Sequence, residues 1–294
     1  MNSTVPLDEA LPWSPGIERK VLVCDSIETD GRFLLHTMAK QILASNNQVL
    51  WVTCSPITTR QVATSLKKIG CDMAAVYLRD PSKSKNLTIR SLTTEISNKS
   101  LEDPQFDAET YLKDVYGQLK QWIREQDQTI STPCWIFLDD VSSLASILGD
   151  RLVYCFVDSL FAFSARLGNN SFGMIVRCSQ DLDQTLTRAG DEEKDNTGWV
   201  GAGGLAHRQK LKENQRNFVP WERSIGPVDT IVDVIPLISG YSREAHGRLV
   251  FSECPGGRGW GDSSKQQPQS ASWNKLVINY SLNDNGVRAI RLRA

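Results

Sequence analysis

Apolar runs and amphipathic stretches alternate over about the first 180 residues. Short runs that are almost wholly apolar are typical of strands in a parallel sheet covered on both faces, and they lie at 21–24, 49–52, 134–140 and 173–178. Between them, apolar residues recur three or four positions apart, which predicts helices around 31–45, 56–70, 111–123 and 152–163. Strands that alternate with helices predict an α/β fold with a parallel sheet covered by helices.

Three regions of this first part have weaker patterns. Residues 74–78, AAVYL, are short and apolar, and they are predicted to form a further strand. Residues 79–104 are polar without firm periodicity, which predicts a long loop with at most one short element. The polar, proline-containing residues 1–18 are predicted to be a flexible lead-in to the folded domain.

The pattern changes after the last of these strands. Residues 185–228 are polar, contain glycine and carry charges of both signs, so they are predicted to form a long polar loop. Residues 229–294 then alternate as β-strands do, and Asn285-Gly286 is a strong signal for a hairpin turn. The chain is therefore predicted to be one domain over 19–294 with a C-terminal extension of antiparallel β-hairpins.

The stretch CDSIETDGRFLL, between the first strand and the first helix, has the layout of a phosphate-binding loop. On the pattern G-x-x-x-x-G-K-[ST], Ser26 takes the first glycine position and Gly31 the second. Arg32 takes the position of the lysine, and Phe33 that of the hydroxyl residue. A serine removes one permissive glycine, and a phenylalanine cannot ligate Mg²⁺, so the loop is interpreted as a degenerate P-loop.

The charge around this turn also opposes a triphosphate. Asp25, Glu28 and Asp30 add three carboxylates where the phosphates would lie, against the single Arg32. Two like charges 4 Å apart repel by ~1 kcal/mol in water and ~4 kcal/mol at an effective dielectric constant of 20. We therefore interpret the stretch as a strand-to-helix turn, with weak or non-standard nucleotide binding as the alternative.

The strand CWIFLDD ends in Asp139 and Asp140. In many P-loop ATPases an aspartate at this Walker B position coordinates Mg²⁺. An aspartate after a strand also caps the following helix, and Phe33 offers no hydroxyl to share the metal. A capping role is favoured, with metal coordination by Asp139 as the alternative.

The polar loop contains the strongest candidate for a nucleic-acid contact. Arg208, Lys210 and Lys212 lie close together, with Trp199 and Trp221 on either side. Basic residues among aromatic ones can follow a phosphate backbone and stack on bases. The same loop also carries a cluster of acidic residues, so a solvated insertion is the alternative interpretation.

Composition narrows the function classes. The formal net charge is -1, so a nucleic-acid contact needs a local basic patch. The seven cysteines include no C-x-x-C pair, and with three histidines no metal-binding spacing arises. Reduced cysteines in apolar runs indicate the cytosol or the nucleus. No apolar run approaches the ~18 residues that a membrane span needs, so no membrane association is predicted.

Three segments together resemble one protein family. They are VLVCDSIETDGRFLLH, WIFLDDVSSLASILGD and PLISGYSREAHGRLVFSE, and their order and spacing are similar to those of the Elongator complex protein 6 family. That family has a "TDG-x-F-L" turn after a strand with cysteine and aspartate, a "DD-x-S-x-L" segment and a "G-x-x-x-H-G-x-L" hairpin. The resemblance spans most of residues 20–292 and is poorest at about 80–105 and 191–262.

The resemblance implies a RecA-like ATPase core that has lost its own P-loop signature. It implies assembly with the fourth and fifth Elongator subunits into a heterohexameric ring, alongside the catalytic subcomplex. That ring binds tRNA, couples ATP hydrolysis to its release and supports modification of the wobble uridine. On this basis the chain is expected to have no catalytic residues and no cofactor of its own. Arg208, Lys210 and Lys212 are the candidate tRNA contacts.

Two other classes of function stay open at the level of the sequence. One is a divergent nucleotide hydrolase or small-molecule kinase that uses Arg32 and Asp139. The other is a recombinase-like DNA-binding paralogue that uses residues 199–221.

Overall fold

The structure is a computed structural model that describes ten ranges of the chain: 3–13, 20–26, 28–103, 105–129, 133–167, 172–179, 228–237, 245–253, 275–283 and 286–291. The strands in these ranges are β1 Ser3–Pro6, β2 Lys20–Asp25, β3 Gln48–Thr53, β4 Leu87–Ser91, β5 Cys134–Asp139, β6 Phe172–Ser179, β7 Thr230–Pro236, β8 Gly247–Glu253, β9 Lys275–Asn283 and β10 Gly286–Arg291. The α-helices are α1 Leu7–Ala10, α2 Arg32–Ala44, α3 Thr59–Lys68, α4 Asp72–Arg79, α5 Leu92–Glu102, α6 Ala108–Thr129, α7 Val141–Leu148 and α8 Asp150–Arg166.

The strands form one sheet in the order β1-β10-β9-β8-β7-β2-β6-β5-β3-β4. From β7 to β4 every neighbouring pair is parallel. From β7 to β1 every neighbouring pair is antiparallel. The predicted α/β architecture, a parallel sheet covered by helices with antiparallel β-hairpins from the C-terminal part of the chain, is confirmed.

Helices cover both faces of the parallel part, which explains the unbroken apolar runs. In β2, Val21 and Val23 face the core that lies under α1, α2, α3 and α4. Leu22 and Cys24 face the opposite core, under α5, α6, α7 and α8. Because successive side chains of a strand point to opposite faces, a strand between two helical layers needs apolar residues at every position.

One predicted strand is a helix, and a strand was missed. Residues 74–78 belong to α4, where only Ala74 is fully buried, so the short apolar run winds around a helix at the surface and the other four residues are partly exposed. The outer parallel strand is instead β4, within the region predicted to be a loop. In β4, Leu87, Ile89 and Ser91 are buried and the residues between them are more exposed, as expected for an edge strand with one covered face. The predicted loop also contains α5.

The N-terminal segment also differs from the prediction of a flexible lead-in. Ser3–Pro6 pairs with β10 and forms the outer strand at that side of the sheet. Leu7 and Trp13 are buried, and the Trp13 ring meets the Trp135 ring edge-on at 5.6 Å. Its apolar residues therefore belong to the core, and a pattern of four residues was too short to indicate a strand.

The polar loop predicted at 185–228 lies, except for residue 228, outside the described residues, as do Arg208, Lys210 and Lys212. None of the helices in the described ranges is both long enough and apolar enough to cross a membrane.

Candidate functional site

The ends of three adjacent parallel strands bring the predicted P-loop and Walker B positions together. Asp25 ends β2, Asp139 ends β5, and Ser179 ends β6, which lies between them in the sheet. Because the strands are parallel, their carboxyl ends meet at one edge, where ligands of open α/β sheets usually bind. We call the side chains gathered there, Asp25, Asp30, Arg32, Asp139, Asp140 and Arg177, the strand-end cluster.

In the turn between β2 and α2, four backbone N–H groups donate hydrogen bonds to oxygen atoms of the turn itself. Ser26 N–H donates to Thr29 Oγ1 at 3.3 Å, and Thr29 N–H donates to Ser26 O at 3.1 Å. Gly31 N–H donates to Asp25 Oδ2 at 2.7 Å, and Arg32 N–H donates to Asp30 Oδ1 at 2.9 Å. A working phosphate-binding loop directs such groups at its ligand. Here these four N–H groups donate to oxygen atoms of residues 25–30 instead.

The second glycine position of the pattern is needed for close packing. A Cβ atom on Gly31 would lie 3.1 Å from Val234 Cγ2 and 3.2 Å from the Cβ of Asp25. Thr29 ties the turn to the same strand, because its hydroxyl donates to Val234 O at 2.7 Å. The turn is therefore fixed against β7.

Arg177 is the centre of the strand-end cluster, and the sequence analysis did not single it out. Its side chain is buried in β6, and its Nη1 donates to Asp25 Oδ2 at 2.5 Å. Its Nε donates to Asp139 Oδ1 at 2.7 Å. Its Nη1 also lies 3.4 Å from Asp30 Oδ1, and its Nη2 lies 3.6 Å from Asp140 Oδ2. The available signal was an arginine inside the apolar run GMIVRC, since a buried arginine is rare without a partner.

Arg32, at the lysine position of the pattern, also belongs to this cluster. Its Nε donates to Asp139 Oδ2 at 3.1 Å, and its Nη1 lies 3.5 Å from Asp30 Oδ2. Asp139 therefore receives one arginine on each carboxylate oxygen. The two guanidinium groups already neutralise this carboxylate, and their positive charges oppose the approach of Mg²⁺ to it.

Asp140 caps a helix, as the sequence analysis favoured. It is the N-cap of α7, and it accepts hydrogen bonds from Ser143 N–H at 3.3 Å and from the Ser143 hydroxyl at 2.6 Å. Its backbone is left-handed, with φ of 68°, a conformation that aspartate tolerates better than most residues. Phe33, at the hydroxyl position of the pattern, is half-buried and packs against the core, with its ring centroid 4.8 Å from that of Tyr280.

Burial and charge act against each other in the strand-end cluster. Burial raises the pKa of Asp25, and the guanidinium of Arg177 and the N–H of Gly31 partly oppose that shift. Burial acts to lower the pKa of Arg177, but the carboxylates of Asp139 and Asp25 outweigh it, and the pKa is raised. The arginine therefore stays charged, and its charge holds three strand ends together.

The predicted site residues fall into three groups. The first group lies together at the strand ends, as the two motifs required: Ser26, Gly31, Arg32, Asp139 and Asp140. Phe33 packs against the core, and the three candidate tRNA contacts lie outside the described residues. No group of histidine, cysteine or carboxylate side chains among the described residues is arranged to hold a metal ion.

No protein-family model matches the sequence, and no curated protein matches it. Among solved structures, the chain is similar to a KaiC-like protein from the hyperthermophilic archaeon Pyrococcus horikoshii OT3. The TM-score is 0.45 and the identity is 13%, over 92% of this chain and 88% of that chain.

Proposed function

We propose that this chain is a RecA-like ring subunit without catalysis of its own. In this proposal it belongs to the Elongator complex and forms a heterohexameric ring with the fourth and fifth subunits. The ring binds tRNA and supports modification of the wobble uridine, in the cytoplasm or the nucleus. Any ATP hydrolysis by the ring takes place on other subunits.

We propose that the chain has no catalysis of its own because the polar groups of the strand-end cluster are already hydrogen-bonded to one another. Four N–H groups, those of Ser26, Thr29, Gly31 and Arg32, donate within the turn. Each oxygen of Asp139 accepts a hydrogen bond from one arginine, Arg177 or Arg32. Opening this arrangement for Mg²⁺ and a triphosphate would separate a buried arginine from its carboxylates. Breaking a buried charge pair typically costs about 3–5 kcal/mol.

The assignment to Elongator rests on the resemblance of three segments of sequence. Two of them, around β2 and α2 and around β5 and α7, meet at the strand-end cluster. The third covers the last residue of β7, which pairs with β2, and all of β8, which pairs with β7. The described parts of the three segments therefore lie in one connected part of the molecule.

The nucleotide test uses the purified chain alone. We expect the same melting temperature with ATP and Mg²⁺ as with ATP and EDTA, and no ATP turnover. A ligand at 100 times its dissociation constant would add about 2.7 kcal/mol of stability. Turnover that is lost on changing Arg32→Ala and Asp139→Asn would instead establish the nucleotide-hydrolase alternative.

The partner test is co-expression with the candidate fourth and fifth subunits, followed by native mass spectrometry. We expect a complex with two copies of each chain. A chain that elutes alone under conditions in which the other two associate would contradict the proposed ring.

The nucleic-acid test uses the assembled ring. We expect tRNA to compete better than DNA oligonucleotides of equal length, with an affinity that falls as salt rises because phosphate contacts release counterions. Replacing Arg208, Lys210 and Lys212 with glutamate should weaken tRNA binding. A matched control reverses the charge of three exposed lysines, Lys67, Lys83 and Lys85. Preference for DNA would support the recombinase-like alternative.

A further inference from the structure

One face of the antiparallel part of the sheet is buried outside both helix-covered cores. It contains Ile235 of β7, Val250 of β8 and Ile290 of β10, which are all buried. None of the three belongs to the core under α1–α4 or to the core under α5–α8. Asp233 and Val277 lie on the same face, because both are register partners of Val250. We call these five side chains the hairpin face.

Exposure along one row of the sheet shows how far this burial extends. The register partners in the row are Cys178, Cys24, Asp233, Val250 and Val277, on β6, β2, β7, β8 and β9. Their exposed fractions are 0%, 0%, 1%, 5% and 52%. The two cysteines belong to the core under α5–α8. The hairpin face therefore continues the face under α5–α8, and in this row it is buried as far as β8.

The direction of the chain connections indicates which segment passes over this face. The connections from β2 to β3 and from β3 to β4 run one way along the sheet and lie on the face of α2, α3 and α4. The connections from β4 to β5 and from β5 to β6 run the other way and lie on the face of α5–α8. Connections between parallel strands are right-handed in almost all proteins, so those that run in one direction share one face.

The connection from β6 to β7 runs in the second direction, so the same rule assigns residues 180–227 to the face of α5–α8. Because β6 and β7 are both parallel to β2, the chain must return from the carboxyl end of β6 to the amino end of β7. A crossover of this kind needs about a dozen residues, and 48 lie between Ser179 and Val228. The connection is therefore long enough to cross β2 and to extend over the hairpin face.

We propose that the hairpin face is the docking surface of residues 180–227. Burial of apolar surface favours this contact, because Ile235 and Val250 are apolar and the end of the connection next to β7 is rich in apolar residues, namely Phe218, Val219, Trp221 and Ile225. The other long connection, 254–274, joins the antiparallel neighbours β8 and β9, which a two-residue turn can join, so it has no need to cross a face. The proposal does not depend on nucleotide binding, on the ring or on tRNA.

The experiment is photocross-linking in the purified full-length chain. The photoreactive amino acid p-benzoylphenylalanine replaces Val277 in one variant and Leu276 in the matched control. These neighbours on β9 are similarly exposed, at 52% and 47%, but Leu276 pairs with Phe251 and so points to the face of α1–α4. After irradiation and proteolysis, mass spectrometry identifies the peptides joined to each position. We expect cross-links within one chain from position 277 to residues 180–227, and none to that segment from position 276.

Other cross-links would identify a different occupant. Cross-links from position 277 to residues 254–274 alone would assign the hairpin face to that connection. Cross-links between two copies of the chain, or to another protein, would assign it to a partner. Each of these results would overturn the proposal. Absence of cross-links from position 277, or equal cross-linking to residues 180–227 from both positions, would do the same.

A second measurement shortens each connection in turn. A Gly-Ser linker of about 12 residues, enough for a crossover, replaces residues 186–226 in one variant and residues 256–272 in the matched control. We expect hydrogen exchange in β8 to become about tenfold faster or more in the first variant, because Val250 loses its cover. Exchange in β8 should be unchanged in the control, and β3, which lies outside the hairpin face, is the internal reference. Equal exchange of β8 in the two variants would contradict the proposal.

Discussion

At the scale of single residues, Arg177 has the largest expected effect on stability. It is buried between Asp25 and Asp139, so replacing it with methionine would leave both carboxylates without their main counter-charge. We expect Arg177→Met to lower the free energy of unfolding by about 3–5 kcal/mol, measured by urea denaturation. Adding Asp25→Asn and Asp139→Asn should restore part of the loss.

The exposed Arg151 provides the control for this substitution. Arg151→Met should change stability by no more than about 0.5 kcal/mol. A loss below about 1 kcal/mol for Arg177→Met would mean that water reaches the carboxylates and replaces the guanidinium.

His36 should make stability depend on pH in acid solution. Burial lowers its pKa from 6.5 to about 4, so between these values the unfolded chain binds more protons at His36 than the folded chain. Stability from this residue is therefore fully present above about pH 6.5 and is lost as the pH falls towards 4. The expected loss over that interval is ~3 kcal/mol.

Comparison with His36→Gln isolates this contribution. The raised pKa of Asp25 acts with the opposite sign, because a folded state that holds its proton more tightly gains stability as the pH falls. Both proteins contain Asp25, so the difference between their urea midpoints from pH 7 to pH 4 reports His36. If the urea midpoints of the two proteins changed equally from pH 7 to pH 4, His36 would be shown to be hydrated.

The role of a single residue could be predicted from the sequence only where neighbouring residues formed a recognisable pattern. The turn at Gly31 and the cap at Asp140 follow from neighbours in the sequence. The role of Arg177 does not, because Asp25 is 152 positions away. Its one local mark is a charge in an apolar run, and only the strand order shows which carboxylates meet it.

At the scale of elements, α1 and the strand before it are part of the fold. Trp13 is 4% exposed and packs on Trp135. We expect Trp13→Ala to destabilise the protein by about 3–5 kcal/mol, measured by thermal or urea unfolding. Glu9→Ala, at an exposed position in α1, should change stability by less than about 0.5 kcal/mol. Equal stability of the two variants would mean that this segment packs only loosely.

The sequence predicted the central strands and missed the outer ones for a physical reason. β2, β3, β5 and β6 are covered on both faces, so their runs are continuously apolar. β4 has one covered face and β1 has four residues, so neither produces a long apolar run. Residues 74–78 misled the prediction in the opposite direction, because a continuous apolar run of five residues fits a strand or a short helical segment equally well.

At the scale of the whole molecule, stability should fall from the middle of the sheet towards its edges. β2 and β6 lie between paired strands and under two helical layers, whereas β4 and β1 each have one neighbour. Backbone groups in such outer strands open without unfolding the core. We expect hydrogen exchange, followed by mass spectrometry, to be slowest in β2, β5 and β6 and fastest in β1 and β4.

Two internal comparisons make the exchange experiment informative. Arg177→Met should raise exchange at the ends of β2, β5 and β6 together, because one side chain links them. Trp13→Ala should raise exchange in β1 while leaving β4 unchanged. Uniform exchange across the sheet would show that the molecule opens only as a whole.

The pairing of β1 with β10 also sets an order of assembly during synthesis. Among the described strands β1 is synthesised first, yet its partner β10, in register from Ser3 with Arg291 to Pro6 with Arg288, is synthesised last. Contacts so distant in sequence form slowly, and domains fold as they emerge. The edge of the sheet next to β10 is therefore completed only after β10 has been synthesised, and Leu7, which is buried in the folded protein, stays in contact with water or with a chaperone until then.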